Sequence, residues 1–143
     1  EKARLEPLER ELAAVQALKD VPSLAATLAA LHAKRLHAGF TFTVRGDARN
    51  STRYLAQLVQ GGLGLPERDY YFRSDERSVA QRAAYRDHVQ HLFELAGAGR
   101  LEAVHAARTV VEMETELARA SMTAVERRDP AHDAALRHDH LDR

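Results

Sequence analysis

Residues 63–71 read Leu63-Gly64-Leu65-Pro66-Glu67-Arg68-Asp69-Tyr70-Tyr71, an order that a generic helical segment does not require. Together with Gly61 and Gly62 just upstream, Gly64 permits a turn through positive φ, after which Leu65 and Pro66 are expected to pack inward. The glycines do not make a nucleotide loop. They lack the Lys-Ser/Thr pair that holds phosphates, and a dinucleotide fingerprint starting at Gly62 would need Gly or Ala where Glu67 stands. Pro66 and the adjacent aromatics Tyr70 and Tyr71 suit a rigid packed loop better than a reacting centre.

On either side of this loop the apolar spacing is mostly helical. Upstream, Leu5, Leu8, Leu12, Val15 and Leu18 predict a helix over about residues 3–19, so the chain is expected to start inside a structural element. Pro22 and Ser23 suit the opening of a second helix, about 24–37, with Leu24, Leu28, Leu31 and Leu36 inward and Gly39 as its stop. The period then changes to two. Phe40, Phe42 and Val44 alternate with Thr41 and Thr43 as in a strand with one buried face. Gly46, Asp47 and Asn50 supply a turn, and Tyr54 to Gln60 can return antiparallel. A lone hairpin is marginal in water, so it is expected to lie against the helices.

Downstream of the loop, Ser74 and Asp75 can cap a third helix whose stripe is Tyr85, Val89, Leu92, Phe93 and Ala96, ended by Gly97 and Gly99. A fourth, about 101–122, carries two apolar stripes. Val104, Ala107, Val111, Ala118 and Met122 form one, and Ala106, Val110, Met113 and Leu117 form the other. Such a helix is either central to its domain or turns one stripe toward a further segment. The expected fold is mostly α: a bundle of about four helices with a short β-hairpin packed against it, one helical domain over residues 1–143.

The 143 residues contain 21 basic and 21 acidic side chains, so no net field draws the chain to nucleic acid or to an anionic membrane. No cysteine is present, which excludes disulfides, a thiolate nucleophile and Cys-ligated zinc. No apolar run approaches the ~20 residues of a membrane span. His88 and His91 stand three apart on a helix, but a third ligand is not evident, and solvated histidines are the simpler reading. His132, His138 and His140 lie in a charged tail. Glu114 falls between the two stripes of the fourth helix, which calls for a partner, and Arg127 or Arg128 could return to pair with it. A catalytic role would need a second acid/base group that the sequence does not supply.

Several of these segments together resemble the N-terminal lobe of the neprilysin and endothelin-converting-enzyme family of zinc metallopeptidases. Leu63 to Tyr71 matches the family's Leu-Gly-Leu-Pro-x-Arg-Asp-Tyr-Tyr signature in full. Phe40 to Val44 with Asp47 and Asn50 looks like its strand and aspartate-containing turn. Glu112 to Ala118, with Glu114, resembles its acidic helix segment, and Arg127 with Asp129-Pro130 its Arg-x-Asp-Pro turn. The likeness runs over about residues 21–130. It lapses after Pro130, where Ala131-His132-Asp133 replaces the usual aromatic-Asn pair.

The resemblance implies a zinc endopeptidase of two mostly helical lobes around a closed cavity. In the family an H-E-x-x-H helix and a later Glu bind zinc, and the motif Glu activates water. No histidine in this chain is followed by Glu, so the expected part is a non-catalytic one. It would roof the cavity and limit substrate size, with zinc held elsewhere in the parent enzyme. The implied partners are the C-terminal catalytic lobe of the same chain and the parent's peptide substrates. The family's carboxylate-binding arginines lie upstream of the matching region, so substrate-binding residues stay unassigned. Asp47, Gly64, Leu65, Pro66, Arg68, Asp69, Tyr70, Tyr71, Glu114, Arg127 and Asp129 are expected to serve lobe architecture. The Arg-over-Lys bias and the absence of cysteine suggest a bacterial member, exported by family habit. The competing expectation is a stand-alone helical protein- or peptide-binding module without catalytic activity.

Overall fold

A computed structural model describes residues 6–47, 50–128 and 135–136. Leu5 of the first stripe, Asp129 and the histidines of the tail lie outside them. The fold is mostly α with four helices and an antiparallel hairpin. Its packing divides into two compact units, one from the residues through Gly61 plus a short strand near the C terminus, the other from Gly62 onward.

The first unit begins with α1 (Glu6–Gln16) and α2 (Val21–Ala33). Both helices end earlier than their apolar patterns predict, and α2 also begins earlier. α1 stops early because Asp20 is needed as the N-cap of α2: its carboxylate accepts from Ser23 N–H at 2.8 Å, and Ser23 Oγ accepts from Asp20 N–H at 3.1 Å. Ser23 therefore completes a capping box rather than capping the helix itself. α2 ends ahead of Gly39, because Arg35 takes the left-handed conformation (φ 64°) and Leu36 N–H bonds Leu31 C=O, the 6→1 closure of a Schellman turn.

Strand β1 (Phe40–Asp47) then pairs antiparallel with β2 (Asn50–Gln60), placing Phe42 opposite Leu58 and Val44 opposite Ala56, and β3 (Ala135–Leu136) pairs with the far edge of β2. Residues directly opposite share a face, so Phe40, Phe42, Val44, Tyr54, Ala56 and Leu58 form one continuous apolar surface. The alternation predicts that this surface is buried. Instead Phe42 and Val44 are 51% and 57% exposed, while Thr41 and Thr43 on the other face are half-buried. Pleat fixes which residues share a face; a packing partner decides which face is covered.

The second unit holds the core. A 3₁₀ turn (Arg68–Tyr71) leads into α3 (Glu76–Leu95) and α4 (Arg100–Ala120), followed by a second 3₁₀ turn (Glu126–Arg128). Asp75 caps α3 by accepting from Ser78 N–H at 2.9 Å, as its sequence position predicts. Ala103, Ala107 and Ala118 of α4 are completely buried, and Val89 of α3 and Tyr71 and Leu65 of the loop are nearly so. Small side chains on α4 let neighbouring elements approach its backbone closely. The buried line takes Ala107 and Ala118 from the first predicted stripe and adds Ala103, while Val104 of that stripe and Met113 and Leu117 of the second stay in the open. Leu92, assigned to the α3 stripe, is likewise half-exposed.

Candidate functional site

The signature loop and the two long helices meet around one carboxylate. Gly62 turns the chain with φ of 79°, and Leu65 then drops into the core beside Ala118. The 3₁₀ turn brings Tyr71 back beneath Leu65, whose N–H donates to Tyr71 Oη at 3.1 Å. Tyr71 in turn donates to Glu114 Oε2 at 2.6 Å, and Tyr85 of α3 donates to Glu114 Oε1 at 2.8 Å. Each carboxylate oxygen thus holds one phenol, and the backbone of the loop is tied to α4 through Tyr71.

The electrostatics follow from this geometry. Burial raises the pKa of the Tyr71 hydroxyl, and the hydrogen bond to Glu114 raises it further because an ionised phenol could not donate to a carboxylate. Tyr85 is pushed up by the same two causes in the same order. Both phenols are therefore fixed as donors. They are not poised to act as bases near neutral pH.

The sequence offers Arg127 or Arg128 as the partner of Glu114. Arg127 instead reaches Glu67, at 3.9 Å and with both side chains largely in water. Two neutral hydroxyls satisfy a half-buried carboxylate without desolvating a second charge, which is the less costly arrangement. Tyr85 was legible only as one member of an apolar stripe. The missed signal was its hydroxyl, since a tyrosine on a buried face needs a partner and Glu114 was the nearest unsatisfied group in the pattern.

Gly64 owes its identity to Tyr85. A Cβ at this position would lie 1.9 Å from Tyr85 Oη, so a side chain here would push the phenol off Glu114. Arg68 braces the other end of the turn. Its Nε donates to Ala118 C=O at 3.0 Å, a carbonyl in the last turn of α4 that also accepts from Ser121 N–H at 3.2 Å, and a cation there is favoured by the helix dipole. Its Nη1 donates to Asp69 at 3.2 Å. Asp69 C=O accepts from Phe72 and Arg73 N–H, closing the turn. Arg82 of α3 donates to the carbonyls of Tyr70 and Arg73, each at 2.7 Å. The guanidinium of Arg73 lies 5.8 Å from the Tyr70 ring centre.

Of the residues singled out from sequence, Gly64, Leu65, Arg68, Asp69, Tyr70, Tyr71 and Glu114 come together here. Pro66 is exposed rather than inward, since the chain has already begun to reverse at that point. Asp47 sits at the end of β1 in the first unit. His91 lies 3.9 Å from Glu94 on the open side of α3. Among the described residues no group of three or more His, Cys, Asp or Glu could hold a metal. The described residues therefore do not fit a catalytic zinc ion, and none is assigned to one. No described helix is long and apolar enough to cross a membrane.

Chemically, the cluster is a clamp. Each oxygen of its carboxylate accepts from one phenol, and Arg68 and Arg82 donate to backbone carbonyls, so its polar groups hold the loop to the helices.

Comparison with known proteins gives a consistent picture. The sequence profile of Peptidase family M13 matches residues 1–136. Mouse endothelin-converting enzyme-like 1 is 42% identical over 84 residues, covering 59% of this chain and 11% of that protein. Human endothelin-converting enzyme 1 is 34% identical over 91 residues, or 63% of this chain and 12% of the enzyme. Among solved structures, the Mycobacterium tuberculosis zinc metalloprotease Zmp1 is similar in two states. The inhibitor complex superimposes with a TM-score of 0.81 at 37% identity over 89% of this chain, the open state with 0.79 over 87%. In both, the match covers 19% of the Zmp1 chain. The 143 residues thus span about a tenth of the curated relatives and a fifth of the solved one.

Proposed function

This chain belongs to peptidase family M13, and on that premise we propose that it is a non-catalytic part of the cavity-covering lobe of a neprilysin-like zinc endopeptidase. The observation that carries the reading is the near-complete match of this chain to the N-terminal family profile and to a fifth of a zinc metalloprotease, in a sequence with no H-E-x-x-H. Peptide-bond hydrolysis and the zinc that supports it belong to a catalytic lobe of the same polypeptide. This segment contributes shape: a wall that admits only peptides small enough to enter. Export to the periplasm or cell envelope of a bacterium completes the proposal.

A clamp suits that role. A wall that selects by size must hold its form against a bound peptide, and the Glu114 cluster ties loop, α3 and α4 at one point. The cluster supports the wall and touches no reacting atom.

The test uses the full-length parent polypeptide. It should cleave short peptides, lose that activity to a chelator and regain it with zinc, and should discriminate steeply against long or folded substrates. The 143-residue segment alone should cleave none. Chelator-sensitive hydrolysis by the pure segment, or a parent enzyme indifferent to substrate length, would overturn the reading.

A further inference from the structure

The outer flank of α4 is apolar without being covered. Met113 is 60% exposed and Leu117 is 41% exposed, and with Ala106 and Val110 they fall on one line of the helix, next to the buried line of Ala103, Ala107, Glu114 and Ala118. The surface beyond them is charged and already paired along the helix, with Arg108 to Glu112 at 2.7 Å and Arg119 to Glu116 at 3.5 Å. Water therefore suits the charged strip, whereas the apolar strip between it and the core lacks a partner among the described residues.

We infer that this strip seats another apolar helix of the same parent polypeptide, from outside these 143 residues. The inference rests on the reading of the chain as part of a larger M13 peptidase. Two observations choose this occupant over a second copy. The first is length: the same fold, at 37% identity, occupies 19% of the Zmp1 chain, so a relative carries about four times as much polypeptide elsewhere. The second is area. From Ala106 to Leu117 the strip is about 16 Å long at ~1.5 Å per residue and about 10 Å wide. It could bury on the order of 160 Å² on this side, far below the ~800 Å² per partner of a stable dimer. That amount is ordinary for one helix seam within a domain, and the row of Ala106, Val110, Met113 and Leu117 offers the i, i+3, i+4 ridges such a seam uses.

The experiment is done on the folded full-length parent. Oxidation of the native Met113 by dilute peroxide, read by peptide mass spectrometry, should be about tenfold slower than in the unfolded chain. A benzoylphenylalanine photocrosslinker at position 113 should give a product of single-chain mass, mapped to residues outside these 143. Leu117→Cys should label with maleimide more slowly than Arg108→Cys on the charged strip. Oxidation at the unfolded rate would show the strip open to water and end the proposal. A crosslink to residues 6–61 would show it covered by the first unit, and a product of doubled mass would assign it to self-association; either outcome overturns the inference. The native methionine readout needs no substitution, so a crosslinker variant that fails to fold leaves the test decisive. Chelator-sensitive peptide hydrolysis by the same preparation separates failure of this inference from failure of the family-based function.

Discussion

The two units of this chain have similar apolar content and different fates. From Gly62 onward, Leu65, Tyr71, Val89, Ala103, Ala107 and Ala118 reach burial around a satisfied polar cluster. Before it, the described residues form two helices, the second opened by a capping box, and a hairpin whose register shifts near its turn, yet none of their large apolar side chains is fully buried. Leu8, Leu12, Val15, Leu24, Phe42, Val44 and Leu58 all remain at least two-fifths exposed. Caps and turns are local and form in both units, and strand pairing forms in the first. Burial needs a second surface, and only the loop–α3–α4 arrangement supplies one within the described residues. Among the described residues, the first unit is secondary structure without a buried core.

Substitutions in the second unit should therefore cost far more than equivalent ones in the first. The largest effect is expected from Glu114→Ala, which strands the buried Tyr71 and half-buried Tyr85 hydroxyls and loosens the loop. A loss of about 3 kcal/mol is expected by analogy with other buried, charge-assisted bonds, read as a lower midpoint in urea unfolding. An unchanged midpoint would break the clamp and, with it, the contrast between the units. Next, Leu65→Ala should cost roughly 2–3 kcal/mol through the cavity it leaves, whereas Phe42→Ala on the open sheet face should cost under about 1 kcal/mol in the isolated chain. Equal losses at the two sites would mean that the sheet face is covered after all. In the full-length parent the Phe42 effect should grow if another segment covers it.

A pH titration sharpens the same contrast. Because the hydroxyl pKa values of Tyr71 and Tyr85 are raised above the ordinary 10.0, the cluster's contribution is complete below about pH 10 and is lost as pH rises toward the folded-state values. Second-unit stability should fall in strongly alkaline solution, and Tyr85→Phe should shallow that fall. The first unit has no buried tyrosine among its described residues, and its helix signal should not follow this curve. Arg127→Ala stands at the small end. Its ion pair with Glu67 is long and wet, so the loss should be no more than about 0.5 kcal/mol, and a loss above 2 kcal/mol would restore Arg127 as a structural partner of the core.

Several features were legible without coordinates because they depend on near neighbours. Asp75 caps α3, Gly97 ends it with φ of 100°, and the change from a three-to-four to a two-residue period at Phe40 marks the hairpin. Helix ends were misplaced where two signals competed. Asp20 could extend α1 or cap α2, and the cap prevailed because its carboxylate satisfies a backbone donor that would otherwise lack a partner. At the cluster, sequence pointed to Glu114 as half-buried and to the loop as packed. It did not show that the two are the same site, because Tyr71 lies 43 residues from Glu114 and Tyr85 lies 29 away.

By itself, then, the sequence determined the elements, the character of the Leu63–Tyr71 loop and, through that loop and its neighbours, the family. These are properties of residues within a turn or two of one another, set by capping, glycine and periodicity. The tertiary structure alone decided which donors reach Glu114, why Gly64 admits no side chain, and which of several apolar stripes becomes a core. Those outcomes depend on distances between residues far apart in the chain, and no local pattern encodes such distances: an apolar face states that it can be buried, and only the surface packed against it determines whether it is.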